Sequence, residues 1–391
     1  MPYAPPVLDP AACSNETEPE VGLARVLVAG GGTGGHLFPA LAVAEELSRG
    51  GTELRFVGTA RGIEARAVPE AGYPLDLLTV RGIKGRGLSG LATGISRLPV
   101  AFFESLSILR RFRPDVVLGV GGYASGPVVA TAVLLRLPTV VMEQNSVPGI
   151  TNRILGRFVD RVCVTYPPGR YFPASKVVRT GNPIRSSIVQ RIRTAVEESV
   201  SRRSVGPTLL VLGGSQGARP INDAMMRAAP ELLRRVPGLR IVHQTGRRDE
   251  DRVRRGYGDL ATAGGRIEIV PFIEDMASAY ASADLVLSRA GATTLAELAV
   301  AGRPAILVPF PHATDDHQTK NAEAFVAAGG AVLVPQHQLS GQAWLGEIER
   351  IAVDPDRRRG MARAMRSLAR PDAAREVVRV LGEVARRGRP S

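Results

Sequence analysis

Two glycine-rich turns, almost half a chain apart, carry the residue types best suited to chemistry. The first turn, Gly30–His36, follows the apolar residues 26–29, and the second, Gly213–Ala218, follows the apolar residues 208–212. A helix is predicted to begin directly after each turn. The free backbone N–H groups and the positive partial charge at a helix start suit phosphate or another anion. The sequence therefore predicts two anion-binding turns, each behind its own strand.

The elements around these turns alternate regularly between strands and helices. Strands separated by helix-length segments predict a parallel sheet with right-handed crossovers. Because the scheme occurs in both halves of the chain, the predicted fold class is α/β, with two Rossmann-like, doubly wound domains whose parallel sheets face a central cleft. The predicted strands are 26–29, 54–57, 75–79, 115–119, 139–143, 161–165, 208–212, 240–244, 267–270, 283–288 and 305–309.

The length of 391 residues also favours two domains, because a chain this long exceeds one ordinary core. Residues 1–22 contain Pro, Glu and Asn without an apolar run and are predicted to be a disordered tail. We expect an N-terminal domain over 23–186 and a C-terminal domain over 187–370, with their junction in the Ser/Arg-rich stretch 186–206. A terminal helix over 371–391 is expected to cross back to the first domain.

The net charge of +13 indicates either an anionic partner or a basic solvated surface. Aromatic residues make up only 5% of the chain and form no stacking cluster, which disfavours nucleic acid as the partner. An anionic membrane surface or a phosphate-bearing substrate explains the charge equally well. Cys13 and Cys163 make no disulfide framework, which fits a reducing cytoplasm, and no secretory signal or spanning apolar segment is recognisable.

The first turn also fits a different class of protein, the nicotinamide or flavin oxidoreductases. Gly30, Gly32 and Gly35 satisfy the dinucleotide pattern G-x-G-x-x-G. That interpretation needs an acidic residue at the end of the second strand to bind the ribose hydroxyls. The strand 54–57 runs instead into Gly-Thr-Ala-Arg without a carboxylate. An ATP-type phosphate loop is excluded because neither turn contains Gly-Lys-Ser/Thr.

Further motifs, in their order and spacing, resemble glycosyltransferase family 28, and within it the MurG family of peptidoglycan N-acetylglucosaminyltransferases. The resemblance covers roughly residues 23–390, and the chain departs from it in a longer N-terminus and in the pair Arg289-Ala290. The motifs are Gly31-Gly-Thr-Gly-Gly-His36, Gly119-Val-Gly-Gly-Tyr123-Ala-Ser-Gly-Pro127, Glu143-Gln-Asn145, Gly181-Asn-Pro-Ile-Arg185, Gly214-Ser-Gln-Gly-Ala-Arg219, Phe272-Ile-Glu-Asp-Met276, Arg289-Ala-Gly-Ala-Thr-Thr-Leu-Ala-Glu297, Pro309-Phe-Pro-His312 and Asp316-His-Gln318.

The resemblance implies the two-domain GT-B fold and an inverting transfer of a sugar. GlcNAc would pass from UDP-GlcNAc to the C4 hydroxyl of MurNAc in undecaprenyl-pyrophosphoryl-MurNAc-pentapeptide (lipid I), giving lipid II. No cofactor and no metal are expected, since Asp354-Pro-Asp356 is predicted to be a helix cap or turn. We expect helix dipoles and Arg185 to neutralise the departing diphosphate.

By resemblance, the donor UDP-GlcNAc is expected to contact residues of both domains. Glu297 would bind the ribose hydroxyls, Ile273 would flank the uracil, and Gln318 would bind GlcNAc hydroxyls through its amide. Each could instead have a plain structural role at a helix start or in a loop. The expected donor-binding residues are Thr33, Gly34, Gly35, Asn145, Arg185, Ser215, Gln216, Gly217, Ile273, Ala292, Thr293, Thr294, Glu297 and Gln318.

The lipid-linked acceptor is expected on the first domain, at Thr33, His36, Tyr123 and Asn145. His36 and Glu143 are the candidate catalytic residues. Histidine has a suitable pKa for a general base, and His36 is predicted on the loop that faces the cleft. A loop histidine that only hydrogen-bonds to the backbone is the equally weighted alternative.

Membrane attachment has its own candidate, a predicted helix over 88–111. A mixed apolar and basic surface helix can lie in a lipid interface, although packing on its own sheet is the commoner meaning of such a stripe. The expected location is the cytoplasmic face of the cell membrane, with possible association with other cell-wall enzymes. The apolar residues are Leu88, Leu91, Ile95, Leu98, Phe102 and Leu106.

Overall fold

Two fully parallel sheets, one in each half of the chain, organise the molecule. A computed structural model describes residues 22–79, 98–167, 169–200, 206–214, 216–261 and 265–388. Most of the predicted tail and the stretch Leu88–Ile95 therefore lie outside the described residues.

The first sheet has seven strands in the order β3-β2-β1-β4-β5-β6-β7. Its central strands are buried on both faces: Val26 and Val28 of β1 join one core cluster, whereas Leu27 and Ala29 join another. Near-continuous apolar runs are typical of such parallel strands. The strands are β1 Arg25–Ala29, β2 Glu53–Thr59, β3 Leu75–Leu78, β4 Val116–Gly119, β5 Thr139–Glu143, β6 Arg161–Val164 and β7 Val177–Arg179.

Helices cover both faces of the first sheet. The helices α1 Gly34–Arg49 and α2 Glu64–Glu70 contribute to the core on one face. On the other face, α3 Leu98–Phe112, α4 Ser125–Leu134 and α5 Ile150–Leu155 contribute to the core.

The second sheet has six strands in the order β10-β9-β8-β11-β12-β13. Its strands are β8 Thr208–Leu212, β9 Arg240–Gln244, β10 Ile267–Val270, β11 Leu285–Ser288, β12 Ala305–Leu307 and β13 Ala331–Leu333. Its helices are α6 Ser186–Val200, α7 Arg219–Arg235, α8 Glu250–Tyr257, α9 Met276–Ser282, α10 Ala292–Ala301, α11 His317–Ala327, α12 Ala343–Val353 and α13 Pro355–Ser367.

The Ser/Arg-rich stretch in which the junction is expected begins with a helix. Most of the Ser/Arg-rich stretch 186–206 is not a linker, because its first part forms α6, which packs against α9 and α10 of the second domain. Ile192 of α6 is fully buried in that domain's core. A polar composition concealed a helix that buries only one face.

The last helix, α14 Ala373–Gly388, lies apart from the second sheet. It contacts α1 and the strands β4, β5 and β6 of the first sheet. Val377, Val380 and Leu381 are fully buried in the same core as β1 and α1. The first domain is thus built from both ends of the described chain.

Each sheet has one point where the strand order reverses, and each predicted turn lies there. The first turn follows β1, whose neighbours are β2 and β4, and the second follows β8, whose neighbours are β9 and β11. In open parallel sheets, ligands bind in the crevice outside the strand ends at this reversal. The topology thus places both turns where a binding site is expected.

Candidate active site

The first glycine turn packs directly against the turn that follows β4. The backbone N–H of Gly31 donates to the carbonyl of Gly121 at 3.2 Å. A Cβ on Gly121 would come within 3.2 Å of the His36 ring, so the imidazole lies against this glycine. Gly121 has a φ of +91°, a conformation that a side chain would strain. The glycines therefore allow the two turns and the imidazole to meet.

A buried carboxylate, Glu64, holds the first glycine turn and was missed by the sequence analysis. Its Oε2 accepts from the Gly32 N–H at 2.7 Å, and its Oε1 accepts from the Thr59 N–H at 2.9 Å. The protein's own carboxylate thus occupies a donor that a dinucleotide phosphate would need. This arrangement disfavours the oxidoreductase alternative. No motif marks Glu64, because the contact exists only after β1 and β2 pair.

His36 lies in the first turn of α1, not at the tip of the preceding loop as predicted. Its Nδ1 is 3.4 Å from the hydroxyl of Thr33, the residue before the helix. Burial lowers the pKa of His36, and the negative charge of Glu143 partly opposes that effect. A lowered pKa keeps the imidazole neutral near pH 7, which is the form able to accept a proton.

The pKa of His36 is also affected by a charge on the second domain. The positive form of His317, the first residue of α11, disfavours a second charge on His36 and so contributes to its lowered pKa. The loop after β5 contacts the same helix, α11, through a hydrogen bond between Asn145 and Asn321. This edge of the first domain therefore adjoins the second domain.

The carboxylate of Glu143, at the end of β5, is almost fully buried and organises the loop after that strand. Its Oε1 accepts from the Asn145 N–H at 3.0 Å. Its Oε2 accepts from the side-chain amide of Asn152 at 2.8 Å and from the Gly149 N–H at 3.2 Å. With its lone pairs so occupied, Glu143 is better placed to act on His36 through its charge than to take a substrate proton.

Asn145 connects the two domains. Its side-chain oxygen accepts from Nδ2 of Asn321 on α11 at 3.2 Å. Asn321 in turn accepts from the backbone N–H and the hydroxyl of Ser146, at 2.9 and 2.7 Å. Asn321 is fully buried, so this bridge is shielded from water. Sequence reasoning missed Asn321, because its partners in the first domain lie 175 and 176 residues away.

The second glycine turn packs against the loop that follows β9. Gly217 has a φ of +72°, and a Cβ there would lie 2.0 Å from the carbonyl oxygen of Thr245. Any side chain would therefore displace the turn from this loop. Gln216 is exposed beside it, and Ser215 lies outside the described residues. The helix that follows, α7, begins without a side-chain cap, which leaves backbone N–H groups for a ligand.

Glu297 lies on α10, the helix that follows β11, and is partly buried. Burial raises the pKa of Glu297 to about 7, and a hydrogen bond from Tyr280 partly opposes that effect. The Tyr280 hydroxyl donates to Oε2 at 2.8 Å. This bond leaves Oε1 without a partner among the described residues. The hydroxyl of Thr293, one turn earlier, is buried and also has no partner in the described part of the chain.

The remaining predicted site residues lie in the loops and helix starts that follow the strands of the two sheets. Gln318 is on α11, and its side-chain oxygen accepts from the Phe310 N–H at 2.9 Å. Ile273 is half-buried against the second core. Arg185 is half-buried, and its guanidinium has no ion pair with the described residues, whereas Tyr123 is 49% exposed. The other members are Gly34 and Gly35 in the first turn of α1 and Ala292 and Thr294 in the first turn of α10.

The acidic motif Asp354-Pro-Asp356 is a helix cap, as predicted. Oδ1 of Asp354 accepts from the N–H groups of Asp356 and Arg357 at 2.9 and 3.0 Å, at the start of α13. Across the described ranges, no cluster of three His, Cys, Asp or Glu residues is placed to hold a metal ion.

Fold and site together define a two-domain GT-B glycosyltransferase, and comparison with known proteins gives the family. The model of the glycosyltransferase family 28 N-terminal domain matches residues 26–164, and that of the family 28 C-terminal domain matches residues 208–377. The chain belongs to glycosyltransferase family 28. The fold class and the family predicted from the sequence are thereby confirmed.

Individual relatives agree with this assignment. A UDP-N-acetylglucosamine--N-acetylmuramyl-(pentapeptide) pyrophosphoryl-undecaprenol N-acetylglucosamine transferase from Anaeromyxobacter sp. (strain Fw109-5) is 48% identical over 93% of this chain and 94% of its own. The protein of the same name from Myxococcus xanthus is 49% identical over 91% and 92%. The crystal structure of Acinetobacter baumannii MurG is 34% identical, with a TM-score of 0.77 over 92% of this chain and 99% of that one.

Proposed function

We propose that this protein transfers GlcNAc from UDP-GlcNAc to the C4 hydroxyl of MurNAc in undecaprenyl-pyrophosphoryl-MurNAc-pentapeptide, with inversion at the sugar carbon. The family and the named relatives support this reaction. The observation that carries it is the position of His36, whose ring lies against Gly121 at the reversal point of the first sheet, on the edge that the Asn145–Asn321 hydrogen bond joins to the second domain. Direct transfer requires a general base that reaches the acceptor hydroxyl while both substrates are bound, and His36 lies between the edges of the two sheets where they would bind.

The diphosphate of the donor is assigned to the second domain and the junction. The uncapped start of α7, with Ser215, Gln216 and Gly217, offers backbone N–H groups to the diphosphate. The unpaired guanidinium of Arg185 supplies positive charge that can pair with the diphosphate. These groups stabilise UDP as it leaves with a negative charge.

The nucleoside and sugar of the donor are assigned to three further residues. Glu297 accepts from the ribose hydroxyls through Oε1, while Tyr280 holds Oε2. Ile273 flanks the uracil, and the amide nitrogen of Gln318 donates to a GlcNAc hydroxyl while its oxygen holds the Phe310 N–H. Ala292, Thr293 and Thr294, in the first turn of α10, are also assigned to the donor site.

The transfer step uses the first domain. The MurNAc C4 hydroxyl attacks the anomeric carbon of GlcNAc, His36 takes the hydroxyl proton, and the bond from that carbon to the UDP oxygen breaks. Glu143 favours the imidazolium that forms, because its negative charge raises the pKa of His36. Thr33, Tyr123 and Asn145 are assigned to the acceptor, and Thr33, Asn145, Gly34 and Gly35 also contact the donor from the first domain. The Asn145–Asn321 bond orients this edge against the donor domain.

An anionic membrane surface is the proposed location, reached through the first domain. The contacting helices α3, α4 and α5 expose large apolar side chains, among them Phe103, Leu134 and Ile154, which are 66%, 70% and 51% exposed. Exposed arginines follow two of these helices: Arg136 comes just after α4, and Arg157 just after α5. Apolar side chains edged by positive charge suit a peripheral protein on anionic lipid. No helix in the described ranges has the length and hydropathy needed to cross a bilayer.

Radiolabelled transfer tests the proposal. The full-length protein is incubated with labelled UDP-GlcNAc and a lipid-linked MurNAc-pentapeptide analogue, and lipid product is separated from donor. Label in the lipid fraction is expected, at a level that falls sharply for His36→Gln. An acceptor analogue lacking the C4 hydroxyl is the matched control. Labelled lipid from that analogue, or no transfer to the complete acceptor by a donor-binding protein, would contradict the proposal.

A further inference from the structure

A second pocket lies between the domains, beside the two segments that connect them. Its volume is about 70 Å³, and its walls come from the ends of β6 and β7, from α10 and α11, and from the segment before α14. Tyr166 of the first domain forms one wall and packs into the core of the second domain. The residues that matter below are Asn182, Arg179 and Arg370.

Asn182 presents an unsatisfied amide to this pocket. The side chain is only 2% exposed, and neither its Nδ2 nor its Oδ1 has a hydrogen-bond partner among the described residues. A buried amide without partners is costly, and most such groups are satisfied by protein, water or ligand. The pocket therefore contains a preformed donor and acceptor that the protein itself does not use.

Two arginines stand on the solvent side of the same pocket. Both Arg179 and Arg370 are exposed, and neither guanidinium has a hydrogen bond or an ion pair with the described residues. Burial, and then the positive charge of Arg370, lower the pKa of Arg179, and no carboxylate opposes these effects. Two neighbouring cations without a counter-charge are unfavourable until an anion joins them.

We propose that this hinge pocket binds a phosphate-sized oxyanion, held by the amide nitrogen of Asn182 and by the guanidinium groups of Arg179 and Arg370. Arginine forks match the geometry of phosphate oxygens, and charge-assisted hydrogen bonds are the stronger kind. A volume of about 70 Å³ exceeds the roughly 10–15 Å³ that one water needs, so the space suits a small polyatomic anion.

The pocket adjoins the proposed donor site but is built differently. Ala292 and Ala296 line it from one face of α10, whereas Glu297 lies about 100° further around that helix. Arg179 and Asn182 belong to the first domain, and Arg370 precedes the helix that returns to it. An anion bound here would join the outgoing and returning connections, and so favour the present arrangement of the two domains.

Calorimetric titration of the full-length protein with inorganic phosphate tests this site. One equivalent should bind, and the double variant Arg179→Gln/Arg370→Gln should bind about tenfold more weakly or not at all. The matched control is Arg110→Gln/Arg255→Gln, which removes the same charge from exposed arginines without partners among the described residues and should bind as the parent does. Equal phosphate affinity in both double variants overturns the proposal.

A second titration, with phosphate added to protein saturated with UDP, separates this pocket from the donor site. Undiminished phosphate binding is expected, because Asn182, Arg179 and Arg370, which hold the anion, are not among the residues assigned to the donor. If UDP abolishes the phosphate signal, the anion was in the donor site and the hinge proposal is wrong, while the proposed function stands. Without phosphate, the thermal midpoint of Arg179→Gln/Arg370→Gln should be no lower than that of the parent, because the substitution removes two unpaired neighbouring cations, and that of the control variant should match the parent.

Discussion

The side-chain oxygen of Asn145 lies 3.2 Å from Nδ2 of Asn321, and this hydrogen bond joins the acceptor edge of one sheet to a helix of the other domain. Asn145 also donates its backbone N–H to Glu143, whose charge acts on His36. A short chain of contacts thus links the domain interface to the proposed base. The predictions below test this series of contacts, the two substrate sites and the membrane surface.

The interface bond should matter for domain arrangement. Asn321→Ala removes the acceptor of two Ser146 hydrogen bonds and the donor to Asn145. Leaving buried groups unpaired should lower the free energy of unfolding by about 1–3 kcal/mol, measured by chemical denaturation. X-ray scattering should also show a larger radius of gyration. Ser146→Ala, which removes only one hydroxyl, is the milder comparison, and an unchanged radius in Asn321→Ala would argue against a domain-bridging role.

The His36 imidazole should control turnover more than donor binding. His36→Gln is expected to lower kcat by about 10²–10⁴ with little change in the Kd of UDP-GlcNAc. In the parent protein kcat/KM should fall on acidification through a pKa below 6.5, because burial lowers the pKa of His36 and protonation removes the base. The exposed His337 provides the control variant His337→Gln. Parent-like turnover in His36→Gln would remove it from the mechanism.

Donor affinity should depend on pH through Glu297. Burial raises the pKa of this carboxyl to about 7, and only the ionised form accepts from both ribose hydroxyls. The Kd of UDP-GlcNAc should therefore weaken about tenfold per pH unit below 7, measured by calorimetry. The donor's diphosphate diester keeps a constant charge over this range.

Two variants isolate the Glu297 effect. Glu297→Gln should bind weakly at every pH, whereas Glu268→Gln, at an exposed position on β10, should keep the parent's pH profile. A folded-state pKa above the usual 4.5 also means that stability declines as pH rises from about 4.5 to 7, and Glu297→Gln should lose that decline. A pH-independent Kd in the parent would exclude Glu297 as the ribose ligand.

Membrane binding should depend on the exposed apolar side chains of α3 and α5. Phe103→Ser/Ile154→Ser should reduce cosedimentation with phosphatidylglycerol vesicles about tenfold or more, because two large apolar groups no longer enter the lipid. Val353→Ser, at a 54% exposed position on α12 of the second domain, is the control. Transfer to a short-chain, soluble acceptor should be unchanged in all three proteins. Equal vesicle binding by the double variant would place the membrane surface elsewhere.

The sequence predicted the sheets well and the long-range polar contacts poorly. The strands 139–143, 208–212, 240–244 and 267–270 have the predicted bounds, because continuous apolar runs between turn residues indicate buried parallel strands. The three-residue strands β7 and β13 were missed, since so short a run carries no pattern. Neither the Glu64 contact to Gly32 nor the Asn145–Asn321 bond could be read locally, because both depend on tertiary pairing.

The path of the final helix has a consequence for biosynthesis. Val380 and Leu381 fill the same core as residues of β1 and α1, so the first domain lacks part of its interior until α14 has been synthesised. A ribosome-bound nascent chain would hold an incomplete first lobe while the second, whose buried core residues all precede α14, is able to fold. Maturation would then run from the second lobe to the first, opposite to the order of synthesis.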